Sequence, residues 1–223
     1  MKRTKLSDRT LPDYTRGEEV FHMVSHIVGG GLGVVALVLC VVFAAIHGDP
    51  WAVVGSSIYG VRLVALYTVS SVYHGLQPGM GKKVMQILDH CTIYLLIAGT
   101  YTPVLFCGIR PVHPVTAWVL FGVVWGCAAL GAVFTAIDLK KYGVFSMVCY
   151  IGMGWCIVFA WQPTAQALGT GGLLLMLFGG IAYTVGAVLY GLGKKRRYMH
   201  AMFHLFVVLG SILQFFSIFF YVI

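Results

Sequence analysis

Apolar residues in this chain come in blocks of roughly 20, the length a helix needs to cross about 30 Å of hydrocarbon. Seven such blocks are read, at about 20–46, 51–75, 84–107, 114–136, 143–162, 172–192 and 199–222. Most breaks carry turn formers with polar residues, as in His47-Gly48-Asp49-Pro50, Gln77-Pro78-Gly79, Arg110-Pro111-Val112-His113-Pro114 and Gln162-Pro163. Composition excludes the soluble alternative. Hydrophobic residues make up 59% of the chain and charged ones 10%, whereas soluble domains carry about 25% charged residues to cover their surface. The expected fold is therefore all-α, a polytopic bundle of seven transmembrane helices at residues 20–223, preceded by a basic tail at residues 1–19. That tail has no apolar stretch of its own and is expected to stay, not to act as a cleavable signal. With no internal repeat and no low-complexity linker, the chain reads as one domain.

Basic residues orient the bundle. Of 15 Lys and Arg, the tail holds Lys2, Arg3, Lys5, Arg9 and Arg16. Three alternate loops hold Lys82 with Lys83, Lys140 with Lys141, and Lys194, Lys195, Arg196 and Arg197. Only Arg110 falls on the opposite side, and Arg62 lies inside a span. By the positive-inside rule the N-terminus is cytoplasmic and the C-terminus external. The net charge of +8 follows from this topology and from contact with anionic inner-leaflet lipid, so no nucleic-acid partner is implied. The six cysteines lie in or at the ends of spans without a C-x-x-C pair, and read as packing residues.

Against this apolar background the ionisable residues stand out. His74 ends the second span, Asp89 lies early in the third, and His200 and His204 open the seventh, so all four share the cytoplasmic half of the membrane. His200 and His204 are four apart and project from one helix face, the spacing with which two imidazoles share a metal ion. Ser70 lies one turn before His74. Three imidazoles with an open fourth position make the ligand set of a catalytic zinc site, beside which a carboxylate such as Asp89 can take a proton. The plainer alternative has these histidines hydrogen-bonded to water or headgroups in the interface. Asp89 fits that alternative less well, because a carboxylate inside a span is costly and faces a polar interior. A second stripe, Glu19, His22 and His26, shares a face of the first helix and can either bind metal or support the ligands from behind. Arg62, near the bilayer midplane, needs an anionic or carbonyl partner, and a lipid carboxylate or headgroup or backbone carbonyls with water are the expected ones.

Several segments together resemble the hemolysin III family, the bacterial branch of the progestin and adipoQ receptor superfamily. They are Glu18-Glu19 followed by Ser25-His26, Ser70-x-x-x-His74, Leu88-Asp89-His90, Ala98-Gly99-Thr100-Tyr101-Thr102-Pro103 and His200-x-x-x-His204. No one of these is specific, but their order across seven spans is. The resemblance implies a zinc ion near the cytoplasmic side held by His74, His200 and His204, with Ser70 and Asp89 beside the open position. It also implies a multi-pass protein of the bacterial plasma membrane whose partner is a membrane lipid or fatty acid, as substrate or ligand. The chain departs from the family pattern at His22, where Asn is expected, and at Arg62. Two function classes follow: a zinc-dependent hydrolase of a lipid amide or ester in membrane lipid homeostasis, with ceramidase-like chemistry, or a non-enzymatic hemolysin III-type cytolysin or lipid sensor with structural zinc.

Overall fold

A computed structural model describes residues 4–192 and 196–223; Lys2, Arg3, Lys194 and Lys195 lie outside the described residues. Seven α-helices carry the fold: α1 Arg16–His47, α2 Pro50–Gly75, α3 Met80–Pro103, α4 Pro114–Ile137, α5 Gly143–Trp155, α6 Trp161–Leu192 and α7 Met199–Tyr221. Among the described residues there is no β-strand.

Local chemistry explains most helix ends. Thr15 and Glu18 form a reciprocal capping box at the start of α1, each side chain bonding the other's backbone N–H. Asp49 accepts from the Ala52 N–H at 2.9 Å, with Pro50 as the first residue of α2. Pro114 opens α4 in the same way. At Pro103 the missing N–H breaks the regular ladder of α3, and the chain continues as a π-helix, Val104–Ile109.

Among the described residues, six helical units are long and apolar enough to cross a membrane; one of them, Gly143–Leu192, joins α5 and α6 through a 3₁₀ turn at Cys156–Ala160. Turn formers in the sequence predict the break between the fifth and sixth spans at Gln162-Pro163. In the structure those residues lie in the first turn of α6, where proline costs no hydrogen bond. The backbone departs from helical geometry at Gly169 instead, with φ of 59°, a conformation that favours glycine. Contacts follow the same division. Tyr150 donates to the His90 carbonyl at 2.8 Å, the Tyr101 hydroxyl accepts from the Ile157 N–H at 3.1 Å, and Gly108 lies against Ala167. Residues 150–167 thus run beside α3 in the same direction. The Trp155 indole then donates to Thr184 at 3.0 Å, so the segment after Gly169 has doubled back.

The exterior is apolar, and the interior adds buried polar and charged groups to an apolar core. Large hydrophobic side chains such as Ile46, Val115, Val144 and Phe159 face outward, while His22, His74, Arg62, Lys82, Gln86 and His204 are buried. That inversion belongs to a protein whose surroundings are lipid. Helices α1 and α2 approach closely at Gly29, where a Cβ would lie 2.6 Å from the Tyr67 ring. At Gly99 on α3 the missing side chain makes room for Arg62.

Candidate metal centre

The residues of the centre come from one end of the bundle, near the start of α1, the end of α2 and the start of α7. The first turns of α1 present Glu19, His22 and His26; the last turn of α2 presents His74; the start of α7 presents His200 and His204. His22, His74 and His200 are buried, and one ring nitrogen from each lies within 4.8 Å of the others, so these three form a group that can hold a metal ion. His204 lies beside this group, its Nε2 3.0 Å from the His200 Nε2. The His26 ring stacks on His204 at 3.8 Å between centres and packs edge-on against Tyr67.

Hydrogen bonding fixes the outer side of the cluster. His74 Nδ1 lies 2.7 Å from a Glu19 carboxylate oxygen. Donation in that direction leaves the Nε2 lone pair facing inward, the orientation in which a carboxylate presents a histidine to a metal. The other Glu19 oxygen accepts from Lys82 Nζ at 2.7 Å, and Lys82 also donates to the Leu76 carbonyl at 2.9 Å. Tyr14 closes the cluster from the N-terminal tail. Its ring stacks on His200 at 5.1 Å and meets His22 edge-on at 5.0 Å. Burial, reinforced by Tyr190, Glu19 and Asp89, raises the Tyr14 hydroxyl above the usual phenol range, so it stays a hydrogen-bond donor.

Seven ring nitrogens of these five histidines are buried with no protein partner: both of His22, both of His26, Nε2 of His74, and Nδ1 of His200 and of His204. An unsatisfied buried polar group costs about 1–3 kcal/mol. So many orphaned nitrogens in one cluster of rings fit a cation that takes several lone pairs at once. Imidazole donors suit zinc among the divalent metals.

Asp89 and Ser70 occupy different surroundings. Asp89 lies 3.9 Å from His90 Nδ1 and lines a long cavity together with His26, His200 and Tyr190. Ser70 is buried on α2, one turn before His74. The cavity runs between α3, α5, α6 and α7 with mostly apolar walls, passing Leu96, Met176 and Tyr183 toward Val104 and Thr164. Along α3, Asp89 to Val104 spans about 22 Å. Arg62 sits behind the cavity wall, donating to the Leu96 carbonyl and standing 4.5 Å over the Tyr59 ring. Its Nε has no protein partner.

Two contributors escaped the sequence reading. Lys82 was indistinguishable from its neighbour Lys83 in a basic loop, and only the fold turns one inward and the other to the Ser7 carbonyl. Tyr14, two residues before α1, carried no periodic signal.

A helical bundle that is apolar outside and holds a buried histidine cluster at one end defines the class: a multi-pass membrane protein with a candidate metal centre. The family follows from comparison. The model of the haemolysin-III related family matches residues 14–215, and the chain belongs to that family. It is 39% identical to Hemolysin-3 of Bacillus cereus, with 92% of each chain covered. It is 36% identical to the Hemolysin-3 homolog of Bacillus subtilis (strain 168), over 93% of this chain and 96% of that one. The monocyte to macrophage differentiation factor of Homo sapiens is 28% identical, over 76% of this chain and 71% of its own length.

Proposed function

We propose that this protein is a zinc-dependent hydrolase of a membrane-lipid amide or ester, built on seven crossings with the N-terminus in the cytoplasm. The carrying observation is that the histidine cluster opens directly onto the long apolar cavity, with His26, His200 and Asp89 lining its inner end. A lipid can lay one acyl chain along that cavity and bring its carbonyl to the cluster. His74, His200 and His204 hold the metal in this reading, and Glu19 fixes the ring of His74. Zinc bound there supplies a Lewis acid for the carbonyl and acidifies water. Asp89 takes the proton released by the attacking water, and Ser70 positions that water from the α2 side. Arg62, through its unpartnered Nε, is assigned the anionic end of a fatty acyl ligand whose other part lies toward the zinc. The sevenfold count is supported by the way residues 150–167 follow α3 and reverse at Gly169.

Purified, zinc-loaded protein incubated with a long-chain ceramide, and in parallel with a fatty acyl ester, tests the reading through the fatty acid released. Wild type is expected to release fatty acid from one of the two, while Asp89→Ala keeps its zinc and loses turnover. Arg62→Leu is expected to weaken fatty-acid binding without releasing zinc. No release from either lipid by zinc-loaded wild type removes the hydrolase reading. What then stands is a lipid sensor or cytolysin with structural zinc, which the presence of His22 beside His74 and His200 favours, because a fourth imidazole leaves a metal no open position.

A further inference from the structure

We infer that His22 is a fourth ligand of the metal, so that the resting centre is a closed shell of four imidazoles. This rests on the reading of the cluster as a metal centre but not on hydrolysis.

Four rings around one zinc obey simple geometry. With Zn–N of about 2.0–2.1 Å and a ring centre about 1.2 Å beyond its nitrogen, tetrahedral coordination puts the ring centres about 5.2 Å apart. In this protein the rings of His22, His74, His200 and His204 form six pairs. Their centres are separated by 4.6, 4.6 and 4.9 Å from His22 to His74, His200 and His204, and by 5.4, 5.0 and 4.6 Å among the other three. All six lie close to the tetrahedral value, and His22 is no more remote than the rest. Each of the four also has at least one buried nitrogen without a protein partner. His26 fails the same criterion. Its ring lies 3.8 Å from His204 in a stacked arrangement, so it covers His204 and does not share its corner of the shell.

Placing His22 in the fourth corner changes what the centre does. Three imidazoles leave a position for water or a carbonyl; four leave none. Access then requires His22 to withdraw, and His22 enters the cluster from the start of α1, directly under Tyr14. His22 therefore sets whether the metal can meet a substrate.

The test uses the full-length protein in detergent, loaded with zinc for X-ray absorption and with Co(II) for visible spectroscopy. Wild-type zinc is expected to show four imidazole nitrogens, and azide is expected to leave the wild-type Co(II) bands unchanged. His22→Asn is expected to keep one metal per chain, to show three imidazoles plus an oxygen, and to respond to azide. Three imidazoles plus an oxygen in wild type, or an azide response equal to that of the variant, overturns His22 as a ligand and leaves the metal reading standing. Wild type that binds neither metal overturns both. The absorption measurement on wild type alone decides the question if His22→Asn does not fold.

Discussion

At the scale of single residues, Glu19 links the centre to its support. One carboxylate oxygen holds the His74 ring and the other neutralises Lys82, which is buried. Removing it leaves His74 free to rotate and an ammonium without its charge partner, the costly half of a broken buried pair. Glu19→Ala is therefore expected to lower zinc affinity by about 10–100-fold, as loss of a carboxylate behind a metal-binding histidine does. Competition with a zinc chelator measures this, and unchanged affinity separates Glu19 from the metal. Much of this arrangement was legible beforehand, because Glu19, His22 and His26 repeat at helical spacing and so do His200 and His204. From sequence, His204 is expected among the ligands and His22 behind them as support. Both lie on the inner faces of their helices, and which rings meet depends on how α1 and α7 cross, a property of packing and not of periodicity.

At the scale of elements, the N-terminal segment is a strap across the end of the bundle that holds the histidines, where the sequence suggested only a basic tail. The Thr4 N–H donates to the Asp138 carboxylate at 2.9 Å, Arg9 donates to the Ile137 carbonyl at 3.1 Å, and Tyr14 lies on the histidines. Such contacts join residues more than 100 positions apart, so no local pattern announces them. Backbone N–H groups of Thr4 and Lys141 hold the Asp138 carboxyl down at about 2, from an ordinary value of 3.8. A depressed carboxylate contributes stability above its unfolded pKa and loses it as pH falls through the folded one. The strap is therefore expected to stay closed at neutral pH and to loosen as pH drops from 3.8 toward about 2. Hydrogen exchange of residues 4–14 reports it. Asp138→Ala should show fast exchange there already at pH 7, and protection equal to wild type at that pH contradicts the clasp. The break at Gly169 is a second feature of this scale. Gln162-Pro163 advertised a turn, but proline is at ease in a first helical turn, and the left-handed backbone at Gly169 leaves little trace in sequence beyond the glycine itself.

For the whole molecule, hydropathy alone established a multi-pass helical membrane protein, because few chains with this ratio of apolar to charged residues can be stable in water. Orientation rests on the basic loops. Accessibility tags at the two ends are expected to report the N-terminus in the cytoplasm and the C-terminus outside, and a C-terminal tag reachable only from the cytoplasm contradicts an odd number of crossings. The cavity was beyond sequence, since it is the space left between packed helices and no residue pattern encodes it. Everything proposed about chemistry depends on whether the histidines of α1, α2 and α7 hold a metal. Metal analysis of detergent-purified wild type beside His74→Ala and His200→Ala tests this most directly. One zinc per chain in wild type and loss of zinc in both variants is the expected result; a metal-free wild type, or full zinc retained in both variants, contradicts the account.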